Sequence, residues 1–233
     1  GSLTITEDTV LENVFISGQI EVLQGATLTL RNFIIDAGFA PYGVKVYDTA
    51  SALLEYGEIS NMNSAAVQGS NFTARWLNVH DSGGDGFKPV SNTIIEGCWV
   101  HHLGTADGAH ADGIQMRQGG YSYFAGNNFD MPINELGGPG EPYKSNSAFI
   151  IQAAEDFIYD VVIEGNWING GNFSVYLTTK TLPYELHNPV LTNNCFGTAY
   201  RYGTLSYGTL PVYNPIVTGN IWEDSGEVMD INQ

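Results

Sequence analysis

One eight-residue pattern, apolar at its third and last positions and rich in Gly or Asn near the fifth and sixth, recurs nine times along this chain. It reads "TVLENVFI" (9–16), "LTLRNFII" (28–35), "ALLEYGEI" (52–59), "FTARWLNV" (72–79) and "TIIEGCWV" (93–100). It continues as "SYFAGNNF" (122–129), "VVIEGNWI" (161–168), "PVLTNNCF" (189–196) and "PIVTGNIW" (215–222). The octets end at Ile16, Ile35, Ile59, Val79, Val100, Phe129, Ile168, Phe196 and Trp222, so the steps are 19, 24, 20, 21, 29, 39, 28 and 26 residues. A base step near twenty with occasional longer intervals is the arithmetic of a solenoid whose loops accept insertions. The octets therefore predict an all-β chain, a right-handed parallel β-helix of about nine coils. Leu11, Leu30, Leu54, Ala74, Ile95, Phe124, Ile163, Leu191 and Val217 would stack as one inward ladder. No coil buries its apolar face alone, so residues 3–233 read as a single domain. Gly1 and Ser2 read as a cloning remnant. A leucine-rich repeat would need a denser leucine consensus, and a propeller a blade of about 40 residues.

The pattern also places the two cysteines. Cys98 is sixth in its octet and Cys195 seventh, three coils apart. At about 4.8 Å per coil they lie roughly 14 Å from each other, beyond disulfide reach. Both are expected to be buried thiols.

Composition agrees with many corners and short strands: 28 of 233 residues are Gly, 12% are aromatic and only 14% are charged. The formal net charge of −17 makes nucleic acid and anionic membrane surfaces poor partners. No run of about 18 apolar residues offers a membrane span. The same charge would oppose a polyanionic ligand unless a local cationic patch or a bound metal intervened.

A turn and a second strand follow each octet: "YGVKVY" with Lys45, "AAVQG" with Gln68, "DGFKPV" with Lys88, "DGIQMR" with Gln115, "FSVYL" with Tyr176 and "GEVMD" with Met229. Strand alternation turns Val44, Val46, Ile114 and Met116 inward. Lys45, Gln68, Lys88, Gln115 and Tyr176 then form an outward column, with Arg117 beside it. Two coils carry insertions at the same corner, 101–112 and 130–147, the second including "MPINELGGPGEPYKSNS". Long loops on a regular scaffold are where function concentrates.

Around that corner the sequence gathers His80, Asp81, Asp85, Lys88, His101, His102, Asp107, His110, Asp112, Gln115 and Arg117, including four of the five histidines. The bland alternatives are specific. The Asp-Gly pairs of "GGDG" and "HADG" are also ordinary turn chemistry, and His80 and His101 could be surface residues at strand ends. Lys88 and Arg117 stand out as two of only eight basic residues. Three chemistries compete. β-Elimination on a uronic-acid polysaccharide needs a base for the C5 proton, a cation on the sugar carboxylate and an acid at the leaving oxygen. Lys88 or His110 would be the base and Arg117 the clamp or acid. Gln115, Tyr176, Gln68, His80 and His102 would contact sugar, and Asp85, Asp107 and Asp112 would hold Ca²⁺. Glycoside hydrolysis would draw two carboxylates from the same aspartates. A zinc centre from His101, His102 and His110 with Asp107 or Asp112 matches no standard ligand spacing.

With its repeats and the "HADGIQ" stretch (110–115), the chain resembles the pectate-lyase-like superfamily of right-handed parallel β-helix proteins. That superfamily holds polysaccharide lyases, glycoside hydrolases, epimerases and phage tailspikes. The resemblance implies a secreted or virion-surface protein acting on, or binding, a glycan. In its alginate and chondroitin lyases a lysine and an arginine about one coil apart act as base and acid with Ca²⁺, and Lys88 and Arg117 are similar in kind and spacing. The asparagine and glutamate calcium ligands of those lyases are not evident here, and the polygalacturonase motifs are missing. The resulting expectation is a lyase acting on a uronate glycan. Its alternatives are hydrolysis by paired aspartates and a non-catalytic glycan-binding β-helix. For the latter, Tyr121, Tyr123, Tyr143 and Tyr176 offer surface aromatics, and a homotrimer or a neighbouring domain would cover ends such as "EVMDINQ" that carry no obvious cap.

Overall fold

The computed structural model describes residues 1–131 and 145–229. Within them the chain contains no helix, and its strands form two sheets, all of whose strand pairs are parallel. It is the right-handed parallel β-helix that the octets predict. One sheet holds the octets. The other runs Leu3–Ile5, Ile20–Val22, Tyr42–Val46, Ala65–Gly69, Phe87–Pro89, Ala111–Met116, Ser145–Ala153, Phe173–Thr179 and Gly203–Ser206, each strand hydrogen-bonded to the next. We call this second sheet the groove sheet.

The octets pair as their spacing requires. Leu11 lies beside Leu30, Leu30 beside Leu54, Leu54 beside Ala74, and the ladder continues through Ile95, Phe124, Ile163 and Leu191 to Val217. Ile16 opens a second ladder that ends at Phe196 and Trp222. In a straight strand residues five apart face opposite sides, yet the third and eighth positions both face inward. The fifth residue resolves this. At all nine octets it has positive φ, between 48° at Asn32 and 67° at Gly219, so the strand bends there and its alternation resets. Seven of these corners are Gly or Asn, the residues that enter this region most readily. The exceptions are Tyr56 and Trp76, which are half-exposed and stack on each other at 4.5 Å.

After the corner, the sixth residue points in. In the first coils it is apolar: Phe33, whose ring fills the space left by Gly57, then Leu77 and Cys98. In the later coils it is Asn127, Asn166, Asn194 and Asn220, a buried ladder. Each asparagine carboxamide oxygen accepts the backbone N–H of the preceding rung, and each Nδ2 donates to a backbone carbonyl. The cysteines follow the same parity. Cys98, sixth, is buried and Cys195, seventh and outward, is only half-buried, which corrects the expectation that both are core thiols. Both are free.

The insertions are shorter than expected because strands claim their ends. Asn128–Met131 and Ser145–Ala153 are strands, and Ala111 and Asp112 open the strand Ala111–Met116. Residues 132–144 of the second insertion, including Tyr143, lie outside the described residues, as do 230–233 of "EVMDINQ". Of the "GEVMD" segment, the described residues 226–229 do not continue the groove sheet. Val228 instead makes an antiparallel bridge to Ile221, and Met229 packs against the core.

Candidate functional site

The outward column of the groove sheet is in register. Lys45 lies beside Gln68 and Gln68 beside Lys88. Ile114 pairs with Phe87, which sets Gln115 next to Lys88. Beyond Gln115 the column passes through Ile150 before reaching Tyr176. Sequence spacing missed Ile150 because its strand resumes only after the second insertion. Tyr176 is therefore two rungs from Gln115, roughly 10 Å, and does not line the groove in front of Lys88.

That groove, of about 320 Å³, is lined by Tyr42, Gln68, Lys88, Gln115, Arg117, Gln118 and Glu155, with Pro89 and Val90. It gathers four of the expected residues: Gln68, Lys88, Gln115 and Arg117. Arg117 reaches it from the end of its strand and pairs with Glu155 at 2.6 Å. The carboxylate is delivered by the turn after Ser145–Ala153, whose N–H groups at Ala154 and Glu155 both bond the Arg117 carbonyl. Lys88 donates to Ser64 Oγ at 2.7 Å and sits 3.2 Å from Asp85 Oδ2.

Asp85 and Asp112 are buried beneath the groove. Both precede a glycine for a reason that turn chemistry alone does not supply. A Cβ on Gly86 would come within 2.5 Å of the Gly113 carbonyl, and one on Gly113 within 2.5 Å of the Ala148 carbonyl. The coils touch there, and the aspartates fill the corner behind. Asp85 Oδ1 accepts the Asp112 N–H at 2.8 Å. Asp112 in turn accepts from Ser147, Asn146 and Gln115. Burial pushes the Asp85 carboxyl up, against the lowering pull of Lys88. Burial, with the adjoining Asp85 charge, pushes Asp112 up to about 7. Burial first, then Asp112, also raises Tyr176. Two carboxylates in so dry a corner do not both ionise readily.

The histidines assemble elsewhere. His80, at the end of Phe72–His80, bonds Asp81 at 2.8 Å and lies 3.5 Å from Glu58. His101 stacks on His80 and Trp99, bonds Asn78 at 2.8 Å through Nε2 and meets His102 through Nδ1. Burial and the two neighbouring imidazoles push His101 down to about 4. His110 is exposed, just before Ala111. His80, His102 and His110 do not line the groove, so the expected sugar contacts at His80 and His102 and the expected base at His110 are not where the groove is. Asp107 is exposed on the first insertion. Among the described residues no three His, Cys, Asp or Glu side chains are grouped to hold a metal ion. Asp85, Asp107 and Asp112 are not brought together as such a group, and Asp85 and Asp112 accept internal hydrogen bonds; His101, His102 and His110 form no such group with an aspartate either.

Fold and site together define a parallel β-helix with a mixed cationic and amide groove on one sheet. No protein-family model matches the chain, and no curated protein matches it. Among solved structures, it is similar to an alginate lyase from Paenibacillus sp. str. FPU-7, with 13% identity and a TM-score of 0.42 over 94% of this chain and 91% of that one. A mutant tailspike protein of E. coli bacteriophage HK620, in complex with a pentasaccharide, is similar at 12% identity and a TM-score of 0.31, over 97% of this chain and 59% of that one. At those scores the chain's function has to be argued from its own residues.

Proposed function

We propose that this is a polysaccharide-active protein whose groove takes a uronate-containing glycan and cleaves it by β-elimination. The observation that carries the reading is the convergence of Lys88, Arg117, Gln68 and Gln115 on one open groove, in a chain of net charge −17. On this reading Arg117 holds the sugar carboxylate and stabilises the charge that develops on it, and Gln115 contacts the sugar beside it. The Lys88 amine takes the C5 proton, the freed electron pair forms the C4–C5 double bond, and the C4–oxygen bond breaks. The resulting ammonium returns its proton to the leaving oxygen. Asp85, 3.2 Å away, and Ser64, which accepts from Lys88 at 2.7 Å, fix where the Lys88 side chain stands. Such a protein works outside the cell or on a virion surface, where glycans are met.

A second reading, binding without cleavage, is favoured by one observation: Lys88 and Arg117 are each already paired with a carboxylate. Hydrolysis by Asp85 and Asp112 has less support, because both are buried and engaged. Incubation with a panel of uronate polysaccharides, with and without Ca²⁺, separates the three. Ultraviolet absorbance of the unsaturated product supports elimination, new reducing ends without it support hydrolysis, and retention without either supports binding. Lys88→Ala is expected to lower kcat/KM by about 10²-fold or more. Full activity in both Lys88→Ala and Arg117→Ala would overturn the assignment.

A further inference from the structure

The groove does not end at Lys88. Toward the N-terminal coils the same column continues through Gln68 to Lys45, so four successive rungs present Lys, Gln, Lys and Gln. Lys45 is held between aromatic rings, its Nζ 4.4 Å from the Tyr47 centroid and 5.8 Å from that of Tyr42. Among the described residues it makes no ion pair. Its rung neighbour Glu21 accepts on Oε1 from Gln19 and from the Tyr47 hydroxyl and makes no ion pair with Lys45. A lysine that makes no ion pair in so acidic a chain leaves its charge open to an anionic ligand. Between the two lysines Gln68 lines the groove, and its Oε1 has no donor among the described residues.

The spacing then selects the ligand. Neighbouring rungs are about 4.8 Å apart, so Lys45 and Lys88 are about 10 Å apart with an amide between them. A pyranose in an extended glycan advances by about one rung. A glycan lying along the column would therefore meet a cation at every second sugar and an amide at the sugars between. We propose that the column Lys45–Gln68–Lys88–Gln115 is a binding track for a glycan that alternates acidic and neutral sugars, laid along the helix axis. The proposal rests on the reading of the groove as a glycan site. Glu21 bounds the track at one end and Ile150 at the other, which limits it to four sugars.

Isothermal titration calorimetry tests it with two probes of equal length, hyaluronan oligosaccharides, in which uronate alternates with an N-acetylated sugar, and oligogalacturonate, in which every sugar is acidic. The track predicts tighter binding of the alternating probe. Lys45→Gln is expected to weaken that probe about fivefold, the range of one partly exposed ion pair. Gln68→Lys, which places a cation on the intervening rung, is expected to move the preference toward oligogalacturonate. Equal binding of the two probes, or Lys45→Gln without effect while Lys88→Gln weakens both, overturns the track and leaves the groove reading standing. Binding of neither probe overturns both.

Discussion

At the scale of single residues, the corner at the fifth octet position is set by backbone conformation and then by what lies above it. Gly97 and Gly126 have the same φ of 62°. A Cβ on Gly126 meets nothing within 4 Å, whereas one on Gly97 would approach the Trp76 indole at 2.8 Å. The two therefore separate left-handed strain from steric conflict. Gly126→Ala is expected to cost about 1 kcal/mol, the strain of one such residue. Gly97→Ala should cost about 1 kcal/mol more, because the indole must lift and its stack on Tyr56 is disturbed. Urea unfolding of both variants checks the difference, and equal losses would mean that Trp76 does not rest on Gly97. Tyr56 and Trp76 hold the same conformation without glycine's freedom, at a cost their stack offsets only in part.

At the scale of elements, the outward and inward faces of the octet sheet carry two polar ladders. Outward, the fourth octet position runs Glu12, Arg31, Glu55, Arg75 and Glu96, each cation bridging the acids on either side. This takes Arg31 and Arg75 out of any site. Inward, the asparagines are buried, and each depends on the next. Asn166 accepts from both the backbone N–H and the Nδ2 of Asn127, so its loss leaves two buried donors unpaired. Asn166→Ala is expected to cost roughly 3 kcal/mol, the price of two such groups. Asn220→Ala should cost about half as much, as an order of magnitude, because Asn220 lines a cavity of about 110 Å³ that lets water replace it. Equal losses in thermal or urea unfolding would show that the ladder is not graded by burial.

Register and inward ladders were legible in the octets because parallel stacking repeats one side-chain environment at every coil. The column through Lys45, Gln68, Lys88 and Gln115 was legible for the same reason. Three things were not. Ile150 was hidden because an insertion breaks the arithmetic that places it. Glu155 reaches Arg117 through a turn on the next coil, and no spacing within one strand announces such a partner. The histidines share a stretch of sequence with the groove residues but leave the corner in another direction, and proximity in sequence does not record that.

At the scale of the whole molecule, the buried carboxyls and the buried imidazole set opposing responses to pH. Asp112 is raised to about 7 from an ordinary 3.8, so between those values the folded chain holds a proton the unfolded chain has lost. Stability then falls as pH rises, and the raised Asp85 carboxyl acts in the same direction. His101 is lowered from 6.5 to about 4, so in that window the unfolded chain holds the extra proton and stability falls as pH drops. Between about pH 4 and 6.5 the two slopes oppose each other, and the wild-type profile should be flatter than that of a variant lacking either. Asp112→Asn keeps the carboxamide oxygen for Ser147 and Asn146 and removes one slope. It should leave stability rising with pH up to about 6.5, and should gain on the order of 2 kcal/mol relative to wild type at pH 8. His101→Asn should tilt the profile the other way, losing stability steadily as pH rises toward 7. Melting temperatures of the three proteins at half-unit steps of pH decide the matter. Parallel profiles would mean that neither group carries a different proton load in the folded chain.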